Sequence, residues 1–320
     1  MSILVTGATG RLGQRIVARL LAEGHEVRIL TRRPFRAEVL FGARVDALEW
    51  HPGCDAAPDA AMAGIESLIH LAGEPLAGPA SVERRQRMHT SRVKAAGRLL
   101  AAIGSRQVRL VAVSVAVPSS ATGDVMTEAT PRAAPRSDVE RNGLDWDAAC
   151  SALTGHGASV VIVRLGLLLE PNATLAALAR MSAFGVLPAL AGAQIPVIDP
   201  EDAAAMLTGL AMRRDLTGPL FGVAPEPLLG EDLVAGLARF GHLPFKLPLP
   251  AGLAERRLGP LMALLQSRTR IVPQRLIDAG AGFLHPDPKA SLTRALDEMV
   301  AQRAPKRWLP GRSVAPTAAR

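Results

Sequence analysis

Three glycines near the amino terminus are spaced so that together they could hold a phosphate group. Gly7, Gly10 and Gly13 follow an apolar run at residues 3–5 and precede an amphipathic stretch at residues 14–23. A glycine-rich turn at a helix start presents backbone N–H groups at the positive end of the helix dipole, and the absent side chains let a pyrophosphate approach. This spacing predicts a phosphate cradle between a strand and a helix.

Two arginines stand where such a fold would meet the ribose of an adenosine. Arg32 and Arg33 end the second predicted strand, about 20 residues beyond the glycines. An acidic residue there would accept a hydrogen bond from the 2′-hydroxyl of NAD, whereas guanidinium groups suit the 2′-phosphate of NADP. We therefore expect NADP (NADPH), with NAD the less favoured cofactor. The alternative is that both arginines are merely exposed residues at a strand end.

Alternating strands and helices must position these residues. Apolar runs predict strands at residues 3–5, 26–31, 43–48, 66–71, 108–114 and 159–165, with helices between them. This alternation specifies an α/β fold with a doubly wound parallel Rossmann-type sheet. We expect a dinucleotide-binding domain over residues 1–166 and a smaller, mostly helical substrate lobe over 167–302, which could return a strand or helix to the main sheet. Residues 303–320 form a basic tail that is expected to be disordered.

Two further features lie at predicted strand ends, where α/β sheets bind ligands. Leu71, Ala72 and Gly73 form a small-residue turn after the fourth strand, and Ser114 ends the fifth. Their alternatives are an ordinary tight turn and a serine satisfied by the next turn. In contrast, Asp199 before Pro200 predicts a helix start rather than a metal site.

The composition excludes several classes of function. The 320 residues carry a formal charge of +8, but the basic residues are scattered and the chain has no tyrosine and seven phenylalanines. A basic stripe interleaved with stacking aromatics is missing, so we do not expect a nucleic-acid partner. The most apolar run is interrupted by Arg164 and is too short to span a bilayer. Two cysteines without framework spacing and no leader pattern favour the cytoplasm.

Six motifs occur in order along the chain: Thr6-Gly7-x-x-Gly10-x-x-Gly13, Thr31-Arg32-Arg33-Pro34, Leu71-Ala72-Gly73-Glu74-Pro75, Ser91-Arg92-Val93, Thr127-Glu128-x-x-Pro131 and Val272-Pro273 to Gly282-Phe283. Together they resemble the extended short-chain dehydrogenase/reductase superfamily. Within it they are similar to the NAD(P)-binding, epimerase-like group that carries a small C-terminal helical domain. The similarity extends to about Met299.

The resemblance implies a cofactor site and a catalytic residue. The pyrophosphate would lie along the glycine turn, the two arginines would meet the 2′-phosphate, and Ser114 would face the nicotinamide and substrate. Similar proteins are commonly dimers, so a homodimer is an open expectation. The predicted cofactor-binding residues are Gly7, Thr9, Gly10, Arg11, Leu12, Gly13, Thr31, Arg32, Arg33, Leu71, Ala72 and Gly73.

The proton partner that the superfamily commonly uses is missing. That partner is a tyrosine phenol, acidified by a lysine four residues further on, and the corresponding segment here reads Ser137-Asp138-Val139-Glu140-Arg141-Asn142-Gly143. A serine hydroxyl is a far weaker proton donor than a phenol, and arginine does not replace lysine as a tunable cation. The usual acid-base pair is therefore not available to this chain.

Two functional hypotheses follow. The first is an NADP-dependent oxidoreductase or epimerase-like enzyme on a carbonyl or sugar-nucleotide-type small molecule, bound between the nucleotide domain and the lobe after Gly166. Its proton could pass through His70, His89, Asp138 or Glu140, if the fold brings one within hydrogen-bond reach. The second is a catalytically inactive NADP-binding sensor or scaffold that acts through a protein partner.

Overall fold

The fold is described from a computed structural model of the chain. The structure describes residues 1–74, 81–118, 125–135, 137–152, 154, 158–184, 186–188, 190–240, 247–249, 256–259 and 261–303. Predictions for Pro75 and for the tail at residues 304–320 lie outside these ranges. The side chain of Asp138, one of the four candidate proton carriers, also lies outside the description.

The amino-terminal half alternates between strands and helices, as predicted. Its elements are β1 (Ser2–Thr6), α1 (Arg11–Ala22), β2 (Glu26–Thr31), α2 (Pro34–Phe41), β3 (Val45–Glu49), α3 (Asp59–Met62), β4 (Ser67–His70), α4 (Val82–His89), a π-helical segment (Thr90–Lys94), α5 (Ala95–Ile103), β5 (Arg109–Val115), β6 (Val125–Met126), α6 (Asp138–Ser151) and β7 (Ser159–Leu165).

The carboxy-terminal half contains shorter strands between its helices. Its elements are β8 (Leu167–Leu168), α7 (Ala173–Ala183), β9 (Val186–Pro188), β10 (Gln194–Ile195), β11 (Val197–Ile198), α8 (Pro200–Met212), β12 (Gly218–Gly222), β13 (Leu228–Leu229), α9 (Gly230–Leu237), β14 (Leu247–Leu249), α10 (Leu261–Leu265), β15 (Arg270–Ile271), α11 (Gln274–Asp278) and α12 (Pro288–Arg303).

The main sheet has the predicted doubly wound, parallel form. Within the described ranges it contains seven strands in the order β12-β7-β5-β4-β1-β2-β3, and every neighbouring pair is parallel. The central strands read as continuous apolar runs because helices cover both faces and leave no polar side facing water. The order reverses at β1, which places the first turn at the switch point where such sheets bind ligands.

Apolar side chains fill three main regions. Ile16 and Leu20 of α1 pack with α8 on one sheet face, and Trp146 of α6 packs with α5 on the other. A third core joins α7, α9 and α12 with the shorter strands of the carboxy-terminal lobe. This lobe is largely helical, as expected from the sequence.

Elements from both sides of residue 166 build the main sheet. Strand β12 is its edge strand beside β7, and helix α8 packs on α1. The start of α8 has the predicted cap, because the Asp199 carboxylate accepts a hydrogen bond from the N–H of Glu201 at 2.9 Å. The division of the chain at residues 166 and 302 stays a prediction.

Short paired strands occur outside the six strands predicted from the sequence. Strand β6 pairs with β15, and β9 pairs with β14, although each is only two or three residues long. Such pieces are too short to show an alternating pattern, and their partners are distant in the sequence. The predicted helix between the fourth and fifth strands is interrupted by the π-helical segment, a feature that often marks functional sites.

Glu128 joins three distant parts of the chain. One carboxylate oxygen accepts a hydrogen bond from the N–H of Phe221 in β12 at 2.9 Å, and the other accepts from the N–H of Arg275 in α11 at 3.3 Å. Both donors belong to the backbone, so only an acceptor with two oxygens satisfies them. The Thr127-Glu128 motif therefore has a structural role in holding α11 against the sheet.

Glu128→Gln should destabilise the protein by about 1–3 kcal/mol, because one amide N–H group would face a backbone N–H and leave it without an acceptor. Urea unfolding followed by circular dichroism measures this loss. Glu226→Gln is the matched control, since Glu226 is largely exposed where it pairs with Arg270. Equal midpoints for the two variants would contradict the role of Glu128.

Candidate functional site

The glycine turn between β1 and α1 has the geometry of a phosphate cradle. Gly7 has φ +73°, and a Cβ atom there would lie 2.9 Å from the nitrogen of Ala72. A Cβ at Gly13 would lie 2.4 Å from the oxygen of Gly7. A side chain at either position would collide with neighbouring backbone atoms, so this turn requires glycine at both.

The start of α1 leaves its N–H groups available to a ligand. Its N-cap residue, Gly10, provides no side-chain cap, and the first helical turn contains no acidic residue. Arg11, the first helical residue, is exposed and adds positive charge. Unsatisfied N–H groups, the helix dipole and an uncrowded turn fit the pyrophosphate of a dinucleotide.

A cleft of about 490 Å³ opens beside this turn, and we call it the cofactor cleft. Eight of the predicted cofactor-binding residues line it: Gly7, Thr9, Gly10, Thr31, Arg32, Leu71, Ala72 and Gly73. The structure thus brings together the glycine turn, the end of β2 and the end of β4.

Four predicted residues lie outside the lining of the cofactor cleft. Arg11 and Leu12 begin α1, where Leu12 packs partly against the core. Gly13 is buried beneath the turn, where its lack of a side chain leaves room for the backbone of the turn. Arg33 is the N-cap residue of α2, and its N–H donates to the Thr31 hydroxyl at 3.2 Å.

Sequence reasoning missed six residues that line the cofactor cleft. They are Leu30, Arg36, Trp50, Pro52, Glu74 and Ser91. Arg36 could have been found, because a residue in the first turn of a helix that follows β2 faces the same edge of the sheet. Leu30 lies in β2 beside Thr31. The others come from loops and from the π-helical segment, whose positions depend on tertiary contacts. Arg36 therefore joins Arg32 as a cation beside the cleft.

Thr6 connects the ends of β1 and β4. Its hydroxyl oxygen lies 2.6 Å from His70 Nδ1 and accepts a hydrogen bond from the N–H of Ala72 at 3.3 Å. These contacts hold the turn after β4 against the glycine turn. They fix the two backbone segments that border the cofactor cleft.

Ser114 lies at the carboxyl end of β5, beside a buried ion-pair cluster. It is 5% exposed, and its register partner in β7 is Arg164. Asp147 of α6 accepts from Arg164 Nη2 at 2.6 Å and from Arg132 Nη1 at 3.0 Å. Helix α6 occupies the place expected for the tyrosine and lysine, and it presents a carboxylate bound by two arginines. The catalytic role of Ser114 stays a prediction.

The candidate proton carriers other than Asp138 have ordinary structural contacts. His70 is 2% exposed, and burial, with a smaller effect from the charge of Arg92, lowers its pKa to about 3. Glu140 accepts a hydrogen bond from the Ser137 hydroxyl at the start of α6. His89 ends α4 and is partly exposed. Within the described part of the chain, none of these three lines the cofactor cleft.

Among the described residues, no group of three histidine, cysteine, aspartate or glutamate side chains is placed to hold a metal ion. Within those same ranges, the helices are too short or too polar to cross a membrane.

Comparison with known proteins gives matches over most of the chain. Residues 3–204 match the profile of the NAD dependent epimerase/dehydratase family. The chain is 26% identical over 314 residues to epimerase family protein YfhF of Bacillus subtilis (strain 168), a match that covers 95% of this chain and 99% of that protein. It is also 26% identical over 328 residues to epimerase family protein SDR39U1 of Homo sapiens, covering 94% and 100%.

Two solved structures have the same fold. The crystal structure of human epimerase family protein SDR39U1 with NADPH superposes with a TM-score of 0.73 at 23% identity, covering 93% of this chain and 99% of that one. MoeE5 in complex with UDP-glucose and NAD gives a TM-score of 0.74 at 21% identity, covering 94% and 99%. Proteins of this fold have therefore been solved with both cofactors.

Proposed function

Because the chain belongs to the NAD dependent epimerase/dehydratase family, as its motifs predicted, we propose that it is an NADP-dependent oxidoreductase or epimerase-like enzyme. Its substrate is a carbonyl or sugar-nucleotide-type small molecule, bound between the cofactor cleft and the carboxy-terminal lobe. The observation that carries the proposal is the open glycine turn, with the N–H groups of α1 and two arginines at the same cleft.

Each part of the cofactor has residues that suit it. The glycine turn and the start of α1 would hold the pyrophosphate, and Leu71, Ala72 and Gly73 would border the adenosine and ribose. When bound, the nicotinamide supplies or accepts a hydride. Ser114 would donate or accept a hydrogen bond at the substrate oxygen and so orient the carbonyl.

NADP rather than NAD is proposed on the positions of the cations. Arg32 and Arg36 both line the cofactor cleft next to Thr31, whereas Arg33 does not. Guanidinium groups bind phosphate with paired hydrogen bonds, and two of them would favour a 2′-phosphate over a 2′-hydroxyl. We therefore assign the 2′-phosphate to Arg32 and Arg36, whereas the sequence alone had indicated Arg32 and Arg33.

Arg32→Ala and Arg36→Ala should each weaken NADPH binding about tenfold, the effect of one charge-assisted contact. NADH binding should change less than about twofold, because that cofactor lacks the 2′-phosphate. Calorimetric titration with both cofactors measures the difference. Arg33→Ala is the matched control and should leave both affinities close to wild type. A larger effect at Arg33 than at Arg36 would overturn this assignment of the cations.

Turnover tests the enzymatic half of the proposal. Purified protein with NADPH and a panel of carbonyl and sugar-nucleotide compounds should yield product detectable by chromatography. Ser114→Ala should lower the rate about tenfold or more. Ser105→Ala is a suitable control, because Ser105 is exposed at the opposite end of β5.

The second candidate function is a non-catalytic NADP-binding protein that acts through a protein partner. It is favoured by the missing tyrosine and by the buried, neutral state of His70. Tight NADPH binding without product across the panel, together with no effect of Ser114→Ala on binding, would support it over the enzyme.

A further inference from the structure

Three buried polar nitrogen atoms lie at the carboxyl edge of the main sheet without hydrogen-bond partners in the part of the chain that the structure describes. They are His70 Nε2, Arg92 Nη1 and Trp146 Nε1. His70 and Trp146 are 2% and 1% exposed. A buried donor without an acceptor costs about 1–3 kcal/mol, so three of them in one region call for an explanation.

The hydrogen bonds of Thr6 decide which nitrogen of His70 carries the proton. Thr6 is fully buried, and its oxygen already accepts from the N–H of Ala72. The Thr6 hydrogen needs an acceptor of its own, and among the described residues His70 Nδ1, at 2.6 Å, offers one. We therefore assign the proton of the neutral ring to Nε2, so that all three unpartnered nitrogens are donors.

The three donors come from different elements but share one region. The Trp146 ring of α6 stacks on the His70 ring, with centroids 5.1 Å apart and planes inclined by 28°. Arg92, in the π-helical segment, lies beneath Gly73, three residues after His70. A Cβ atom at Gly73 would be 3.2 Å from Arg92 Cζ. The charge of Arg92 reaches His70 closely enough to disfavour protonation of the ring.

Three arginines surround the Glu74 carboxylate next to these donors. Arg92 Nη2 donates to the backbone oxygen of Glu74 at 3.0 Å. The Glu74 carboxylate lies 3.9 Å from Arg84 and 3.4 Å from Arg87. These contacts place the Glu74 carboxylate beside three guanidinium groups. Unpartnered donors next to a guanidinium group favour an anionic oxygen ligand.

We propose that His70, Arg92 and Trp146 form a binding site for one carboxylate group of a small molecule. The site lies under Gly73, on the face of the sheet that packs against α6, and is distinct from the pyrophosphate cradle in α1. This site rests on the proposed function in one respect: the carboxylate that it binds belongs to the proposed substrate. The π-helical segment contains Arg92 and so positions it in this site.

The indole N–H of Trp146 provides a direct probe of the site. The chain has three tryptophans, and Trp146→Phe assigns the Trp146 indole signal in the ¹H–¹⁵N spectrum of the full chain. Titration with sodium acetate, at ionic strength held constant with sodium chloride, should shift this signal until it saturates. Arg92→Met should weaken acetate binding at least tenfold.

Arg87→Met is the matched control, because it removes the same charge beside Glu74 from a residue whose side chain is 58% exposed. It should change acetate binding by less than twofold. If Arg92→Met does not fold, as judged by circular dichroism, Arg92→Lys replaces it and should weaken acetate binding at least threefold.

Three results would overturn the inference. A signal that does not shift, or that shifts without saturating, would mean that the donors are satisfied by a buried water molecule. An equal shift with neutral acetamide would show that charge is not recognised. An unchanged affinity in the Arg92 variant would place the acetate elsewhere. The titration needs no cofactor, so a loss of NADPH binding alone would count against the proposed function and not against this site.

Discussion

Gly7→Ala is expected to weaken NADPH binding by about a hundredfold or more, equivalent to roughly 2.7 kcal/mol. Two effects add at this position. The φ of +73° is unfavourable for any residue with a Cβ, by about 1–2 kcal/mol. The new Cβ would also lie 2.9 Å from the nitrogen of Ala72, in the turn after β4 that packs against the glycine turn. The two turns would have to separate, and the N–H groups proposed to bind the pyrophosphate would move with them.

Gly24→Ala is the matched control, because it introduces backbone strain without a steric clash. Gly24 has a similar φ of +79°, but a Cβ atom there would meet nothing within 4 Å. This variant should lose comparable backbone stability and keep the NADPH affinity of the wild type. Fluorescence or calorimetric titration measures the affinity, and thermal unfolding measures the stability. If Gly7→Ala and Gly24→Ala bound NADPH with equal affinity, the glycine turn would not be part of the NADPH-binding site.

Arg109→Met should lower the free energy of unfolding by about 3–5 kcal/mol, because three buried acceptors would lose their donor at about 1–3 kcal/mol each. Arg109 is fully buried at the start of β5. Its guanidinium donates to the backbone oxygens of Leu210 and Leu216 at 2.9 and 2.7 Å, and to the Ser159 hydroxyl at 2.9 Å. Methionine keeps most of the volume but supplies no donor, so these oxygens would remain buried without partners.

The same side chain stays charged at neutral pH. Burial, with a smaller effect from the charge of Arg214, lowers the pKa of Arg109 to about 10. Arg213→Met is the matched control. Arg213 directly follows helix α8, to which Arg109 donates a hydrogen bond, but its own side chain is exposed and pairs with Asp215. Urea unfolding should show a large fall in midpoint for the Arg109 variant and no measurable change for the control. Similar midpoints would mean that the end of α8 does not depend on Arg109.

The sequence by itself determined the sheet and the cradle, because both depend on local patterns. Continuous apolar runs specify buried parallel strands, and the predicted strand at residues 159–165 has those same bounds in the structure. The glycine spacing specifies a turn that only residues without a Cβ can form, so Gly7 and Gly13 could be read from the sequence. The start of α8 at Asp199 was similarly local.

Tertiary structure decided which side chains surround the cofactor cleft. Trp50 and Ser91 reach the cleft through the packing of the loop after β3 and of the π-helical segment, which no local pattern contains. The two contacts of Glu128 and the pairing of β6 with β15 join segments that are distant in the chain. The cluster of His70, Arg92 and Trp146 also depends on three separate elements meeting. Sequence patterns report neighbours along the chain, whereas burial, pKa and unpartnered donors depend on neighbours in space.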